Sequence, residues 1–159
     1  MKKLSVPMIV ALLLAILVVG TTFAASARKQ LPFKGSLEAV ETHQPNLPTV
    51  FVTATGSGEA TQLGRYTVSY EVIVNVQTGA GTGLSAEFVA ANGDSLFAEG
   101  SGQATPTETP GVMSIVETYT ITGGTGRFDG ATGTFTVERI VNQVTKETSG
   151  TISGQIVLP

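Results

Sequence analysis

The chain has 159 residues, with 9 Lys and Arg against 12 Asp and Glu, and no cysteine. This composition excludes disulfides, cysteine-based metal sites and a thiol nucleophile, and the lack of clustered basic residues argues against a nucleic-acid partner. His43 is the one histidine and cannot form a multi-histidine site, so we expect neither a metal nor a cofactor. Its neighbours Pro45 and Pro48 predict a solvated loop histidine.

The first 27 residues have the features of a secretory signal peptide. Lys2 and Lys3 precede an apolar stretch, Met8–Val19, and the segment Ala25-Ser26-Ala27 provides a small-residue cleavage site. We therefore predict a signal helix, cleavage at its end, and a single domain over 28–159. That domain would be secreted, either extracellular or periplasmic, without membrane contact. The alternative is an uncleaved anchor, because the uncharged stretch after Lys3 is long enough to span a bilayer.

Beyond this segment, apolar and polar residues alternate with a period of two, which is typical of β-strands with one buried face. In Tyr66–Val76, every even position is apolar and most odd positions are polar. Turn-forming Gly, Pro and Asn residues separate such segments. The pattern predicts eight strands: Phe33–Thr42, Thr49–Ala54, Tyr66–Val76, Leu84–Ala90, Ser95–Ala104, Val112–Thr122, Gly133–Val141 and Glu147–Leu158.

The strongest hairpin signal among the turns is Asn92-Gly93. A two-residue turn at this point would direct Phe97 and Glu99 inward. A three-residue loop would instead direct Leu96 and Ala98 inward. The sequence leaves both arrangements open.

Eight sequential antiparallel strands must protect their edges, and closing the sheet removes the edges altogether. We therefore predict an all-β fold, an eight-stranded antiparallel β-barrel, whose interior either packs shut or holds one small ligand. A two-sheet sandwich is the alternative. An outer-membrane barrel is disfavoured because the chain ends in Val157-Leu158-Pro159 rather than in an aromatic residue and has no visible aromatic girdles.

The segment Gly123–Phe135 reads GGTGRFDGATGTF. It resembles the G-G-T-G-x-F-x-x-A-x-G segment of barrels in the allene oxide cyclase and dirigent family. The resemblance implies an eight-stranded barrel of the calycin type with a central cavity, and self-association into a homo-oligomer. In physical terms we interpret Gly123, Gly124, Gly126 and Gly133 as a structural turn, and we expect a positive φ in at least one of the last three.

Two charged residues, Glu117 and Arg139, interrupt the apolar faces of their strands. A loop centred near Phe128 would set them directly opposite each other, and inside the barrel they would form a salt bridge. Such a pair would either only fix the strand register or anchor a polar group in a ligand cavity; in another register both would face solvent. Tyr70 and Tyr119, also on apolar faces, are either core residues, which the pattern favours, or contacts for a ligand in the cavity. Phe135 is a further candidate for the cavity.

These features favour a secreted barrel of unassigned activity whose cavity binds a small apolar molecule. The alternative is a cyclase- or dirigent-like enzyme that shapes a reactive apolar substrate without a metal or cofactor. The sequence contains no nucleophile elbow, phosphate loop or dinucleotide-binding motif. It therefore assigns no catalytic residue.

Overall fold

The computed structural model describes residues 28–159, so the predicted signal helix and its cleavage site lie outside the described residues. Eight strands and one short 3-10 turn make up this part of the chain. Their bounds are β1 (Gln30–Asn46), β2 (Thr49–Ala60), β3 (Gly64–Asn75), β4 (Ala80–Ala90), β5 (Ser95–Pro106), β6 (Val112–Gly124), the 3-10 turn (Gly126–Phe128), β7 (Thr132–Asn142) and β8 (Glu147–Val157).

The strands form a closed barrel in sequence order. Each strand pairs antiparallel with the next, and β8 closes the sheet by pairing antiparallel with β1. The prediction of an all-β, eight-stranded antiparallel barrel is therefore confirmed, and the sandwich alternative is wrong. Within residues 28–159, no helix is long and apolar enough to cross a membrane.

Inward and outward side chains alternate along most of each strand, as a period of two requires, with local breaks where the register shifts, as between Gly81 and Leu84. On β3, the side chains of Tyr66, Val68, Tyr70 and Val72 are at most 5% exposed. The hairpin between β4 and β5 has three residues between Ala90 and Asp94, whose backbone groups are hydrogen-bonded at 2.9 Å. The three-residue alternative is therefore the correct one.

The consequence of that loop is that β5 directs Leu96 and Ala98 into the barrel, where they are 0% and 1% exposed. Glu99 lies on the outer surface. Glu99 is therefore not one of the charged residues inside the barrel.

The connections β2–β3, β4–β5 and β6–β7 meet at one end of the barrel, which we call the closed end. Phe128 in the 3-10 turn is fully buried there, with Leu63 and Ala131 at 2% and 1% exposure. Arg127 joins the loops: its Nη2 donates to the Leu63 carbonyl oxygen at 3.1 Å, and its backbone N–H donates to Asp94 at 3.3 Å. Side chains and loops together seal this end.

The predicted structural turn lies at the closed end. Gly123, Gly126 and Gly133 have φ of +138°, +56° and +143°, which confirms the expected positive φ. Gly124 has no positive φ, but an added Cβ there would lie 2.6 Å from the Cβ of Phe128. The motif therefore needs glycine for two reasons, backbone conformation and close packing.

An aromatic layer lies next to the closed end and fills the barrel. Phe135 meets Phe33 and Phe88 edge to face, with ring centroids 5.1 and 5.8 Å apart, and stacks on Tyr119 at 4.8 Å. Phe135 was expected to line a cavity, but it is only 2% exposed and lies inside this filled layer. The expectation for Phe135 is corrected accordingly.

Candidate functional site

The centre of the candidate site is Arg139 on β7, which points into the barrel and is 4% exposed. Its guanidinium binds the carboxylate of Glu117 on β6 in a bidentate manner. Nη2 donates to Oε1 at 2.8 Å and Nε donates to Oε2 at 3.1 Å. The predicted internal salt bridge is therefore present, and neither side chain faces solvent.

The predicted register of this hairpin, however, is wrong by two residues. Arg139 lies directly opposite Ile115, and Glu117 lies opposite Val137, so the two charges are diagonal neighbours. The 3-10 turn moves the centre of the loop from the expected Phe128 towards Arg127. A shift of two residues keeps every side chain on its face, and long side chains reach across the diagonal.

Sequence reasoning missed a third charged residue, Glu41 on β1. Its Oε1 accepts a hydrogen bond from Nη1 of Arg139 at 2.6 Å, and the same Nη1 donates to Oγ1 of Thr148 at 3.0 Å. The signal was present in the sequence, since Glu41 shares its strand face with buried Leu37. Glu41, Glu117 and Arg139 form what we call the buried charge cluster.

Two predicted cavity tyrosines support the buried charge cluster from the interior side. The hydroxyl of Tyr70 donates to Glu41 at 3.0 Å, and the hydroxyl of Tyr119 donates to Glu117 at 3.3 Å. The guanidinium carbon of Arg139 lies 5.2 Å from the Tyr70 ring centroid, a cation–π contact. Burial raises the pKa of both phenols, so both remain neutral donors.

His43 is not the solvated loop residue that its proline neighbours suggested. It lies within β1, with a side chain only 16% exposed, and its Nε2 is 2.7 Å from Oε2 of Glu41. Its Nδ1 is 3.1 Å from Nζ of Lys146. The imidazole therefore bridges the buried charge cluster and a lysine near the barrel rim.

The electrostatics of the site favour the ionised forms of Glu41 and Arg139. Burial alone would raise the pKa of Glu41, but Arg139, together with hydrogen bonds from His43 and Tyr70, lowers it below the usual 4.5. Burial alone would lower the pKa of Arg139, but Glu117, Tyr70 and Glu41 raise it. Removing one member would leave its partner charged and buried, which is costly.

A cavity of about 250 Å³ opens above the buried charge cluster, at the end where β1–β2, β3–β4, β5–β6 and β7–β8 connect. We call this end the open end and the cavity the mouth pocket. Glu41, Glu117 and Arg139 form its floor. Its other lining residues are mostly apolar or small: His43, Val50, Val52, Val72, Val74, Val76, Gly79, Gly81, Gly102, Gln103, Ala104, Met113, Ile115 and Gln143.

Small residues on β4 and β5 create this space. A Cβ on Gly102 would lie 2.7 Å from Cγ of Glu117, and a Cβ on Gly81 would lie 3.2 Å from Cγ2 of Val72. Gly102 thus gives the Glu117 side chain room to reach Arg139. The charge cluster and the cavity depend on the same glycine.

A larger groove of about 660 Å³ lies on the outer surface of β1 to β6. Its lining is mainly Ser, Thr and Glu side chains, with Phe97 at its edge. Binding sites are typically concave and mostly apolar, with a few convergent polar groups, and the mouth pocket meets this description whereas the groove does not. We therefore locate the candidate site in the mouth pocket.

Comparison with known proteins gives no relative: the chain matches no protein-family model, no curated protein and no solved structure. Among the residues that the structure describes, no group of three or more His, Asp or Glu side chains is arranged to hold a metal ion. The geometry of the mouth pocket is therefore the basis on which a function can be inferred.

Proposed function

We propose that residues 28–159 form a secreted binding protein that holds a small, largely apolar molecule with one polar end in the mouth pocket. The observation that carries this proposal is the buried charge cluster on the floor of an open cavity whose other lining residues are mostly apolar or small. Apolar walls provide affinity through burial, and a few fixed polar groups orient the ligand. The signal-like sequence of residues 1–27 supports secretion.

The size of the cavity limits the ligand. At about 30 Å³ for each water in the liquid, 250 Å³ corresponds to roughly eight water molecules. A six-carbon chain or a single ring with one polar substituent fits this volume. Longer chains would extend out of the open end into solvent.

Binding is favoured over the cyclase- or dirigent-like alternative by the lowered pKa of Glu41 and by the hydrogen bonds that Glu117 already accepts. A general acid at neutral pH needs a raised pKa, whereas the pKa of Glu41 is lowered. Glu117 is held by two hydrogen bonds from Arg139 and one from Tyr119. The enzymatic alternative and the self-association that the family resemblance implies remain predictions.

The test is a titration of the 15N-labelled protein with 1-hexanol, followed by amide chemical shifts. We expect saturable shifts at Val50, Val74 and Gly102, which line the mouth pocket, and none at Phe128 in the closed end. Shifts confined to the outer surface, or no saturable shift, would overturn the proposal.

A matched pair of variants on β5 controls for non-specific binding. Ala104 lines the mouth pocket and is partly exposed, whereas Ser101 points outward into solvent. Ala104→Phe fills the cavity and should weaken 1-hexanol binding by about tenfold or more, while Ser101→Phe should leave it unchanged. Equal effects of the two variants would contradict the assigned site.

A further inference from the structure

We infer that the polar end of the ligand is an ammonium group, so that the mouth pocket selects primary amines over carboxylates of the same length. This inference rests on the proposed function and adds the chemical class of the ligand. It follows from the donors, acceptors and charges that the pocket floor has left to offer once its internal bonds are counted.

Arg139 has almost no donor capacity left for an anion. A guanidinium has five N–H donors, and four of them are used within the protein. Glu117 takes two, Glu41 takes one and Thr148 takes one. A ligand carboxylate could therefore receive at most one hydrogen bond from Arg139, rather than the bidentate pair that makes arginine a good carboxylate receptor.

The acceptors on the floor are less fully used. A carboxylate has about four acceptor positions. Glu41 accepts from Arg139, Tyr70 and His43, and Glu117 accepts from both Arg139 nitrogens and Tyr119. Each carboxylate therefore has about one acceptor position left, which matches a group with several N–H donors.

The charge balance agrees with the hydrogen bonds. The buried charge cluster has two carboxylates and one guanidinium, and within residues 28–159 no other lysine or arginine lines the mouth pocket. Lys146 is separated from Glu41 by the imidazole of His43. An ammonium group would balance the excess negative charge of these largely buried side chains, whereas a carboxylate would add to it at high cost.

The experiment compares hexylamine, 1-hexanol and sodium hexanoate at neutral pH and constant ionic strength, by the same amide titration of the full domain. We expect hexylamine to bind about tenfold or more tightly than hexanoate, with 1-hexanol between them. Tighter or equal binding of hexanoate would overturn the inference and leave the proposed function in place. Failure of all three to bind would instead overturn the proposed function.

Two variants separate the pocket floor from general attraction to an acidic surface. Glu117→Gln removes one negative charge from the floor and should lower the hexylamine-to-hexanol affinity ratio by about tenfold. Glu99→Gln removes an exposed carboxylate of β5 and should leave the ratio unchanged. An equal fall in both variants would contradict the inference. If Glu117→Gln does not fold, the comparison of the three ligands on the unmodified protein still tests the preference for an ammonium group.

Discussion

The two ends of the barrel are built from the same eight strands, but side chains and loops fill one end and leave a cavity at the other. At the closed end, Arg127 crosses from the β6–β7 loop to the β2–β3 loop, and Phe128 fills the space beneath. At the open end, the backbone hydrogen bonds between loops join neighbours only, such as Val76 to Pro48 and Gln143 to Gly111. The open end therefore keeps a cavity.

The ion pairs at the two ends differ in the same way. At the closed end, Arg127 and Asp94 are 4.0 Å apart and their side chains are 45% and 24% exposed, and a pair of this kind contributes little to stability. Towards the open end, Arg139 and its two carboxylates are nearly inaccessible to solvent. The closed end is thus stabilised by packing, whereas the open end depends on a buried charge cluster that packing alone would not require.

The largest effect should come from breaking that cluster. Arg139→Met leaves Glu41 and Glu117 buried without their cation, and we expect it to lower the free energy of unfolding by about 3–5 kcal/mol. Guanidinium denaturation measures the change. Arg65→Met, on the exposed face of β3, is the matched control and should stay within about 0.5 kcal/mol of the unmodified protein.

Combining substitutions sharpens the same prediction. Glu117→Gln added to Arg139→Met should recover part of the loss, because one of the two stranded charges disappears. Glu41→Gln added as a third change should recover more, since Glu41 also binds Arg139. Strictly additive losses across this series would show that the three residues are not coupled.

Introducing a large side chain should distinguish the two ends next. Ala131 is 1% exposed in the packed closed end, and Ala131→Phe should cost about 3 kcal/mol through overpacking. Ala104→Phe enters the mouth pocket and should cost less than about 1 kcal/mol. Comparable losses from the two substitutions, measured in the same denaturation experiment, would mean that the open end is packed as tightly as the closed end.

The glycines of the closed end give a somewhat smaller effect. Gly133 has φ of +143°, and an added Cβ would collide with a backbone carbonyl oxygen of β8. We expect Gly133→Ala to cost about 2 kcal/mol. Gly130→Ala, in the turn just before β7, is the control, because Gly130 also has a positive φ but open space around it, and it should cost about half as much.

The fold was predictable because a period of two holds along most of each strand and is broken only locally, as between Gly81 and Leu84. The same regularity explains why the pairing of Glu117 with Arg139 was found despite a wrong register: an error of two residues returns each side chain to its own face. The 3-10 turn that causes the shift has no sequence signal apart from its glycines. Its local conformation is fixed by Phe128 packing inside the closed end.

The parts of the site that were not predicted from the sequence were missed for different physical reasons. Glu41 lies within the predicted strand Phe33–Thr42 and follows its inward alternation, so the pattern alone could have placed it inside the barrel. His43 was missed because the prolines after it suggested that the strand ends at Thr42, whereas β1 continues to Asn46. The mouth pocket could not be predicted from strand patterns, because its volume depends on which small residues face one another across the barrel. Gly81 and Gly102 leave space for the mouth pocket only because the fold brings them together in its wall.

The smallest expected effect is a pH dependence that belongs to the open end alone. The carboxylate of Glu41 is bonded in the folded protein, so its folded-state pKa lies below the unfolded value of 4.5. The stability it contributes is therefore fully present above about pH 4.5 and is lost as the pH falls through the folded-state pKa.

Urea unfolding between about pH 6 and about pH 3 should show a flatter acid limb for Glu41→Gln than for the unmodified protein. Glu38→Gln, which removes an exposed carboxylate from the same strand, should retain the original slope because that side chain is solvated in both states. Parallel acid limbs in Glu41→Gln and the unmodified protein would show that Glu41 does not make stability depend on pH. The difference between the closed end and the open end would then rest on Arg139 alone.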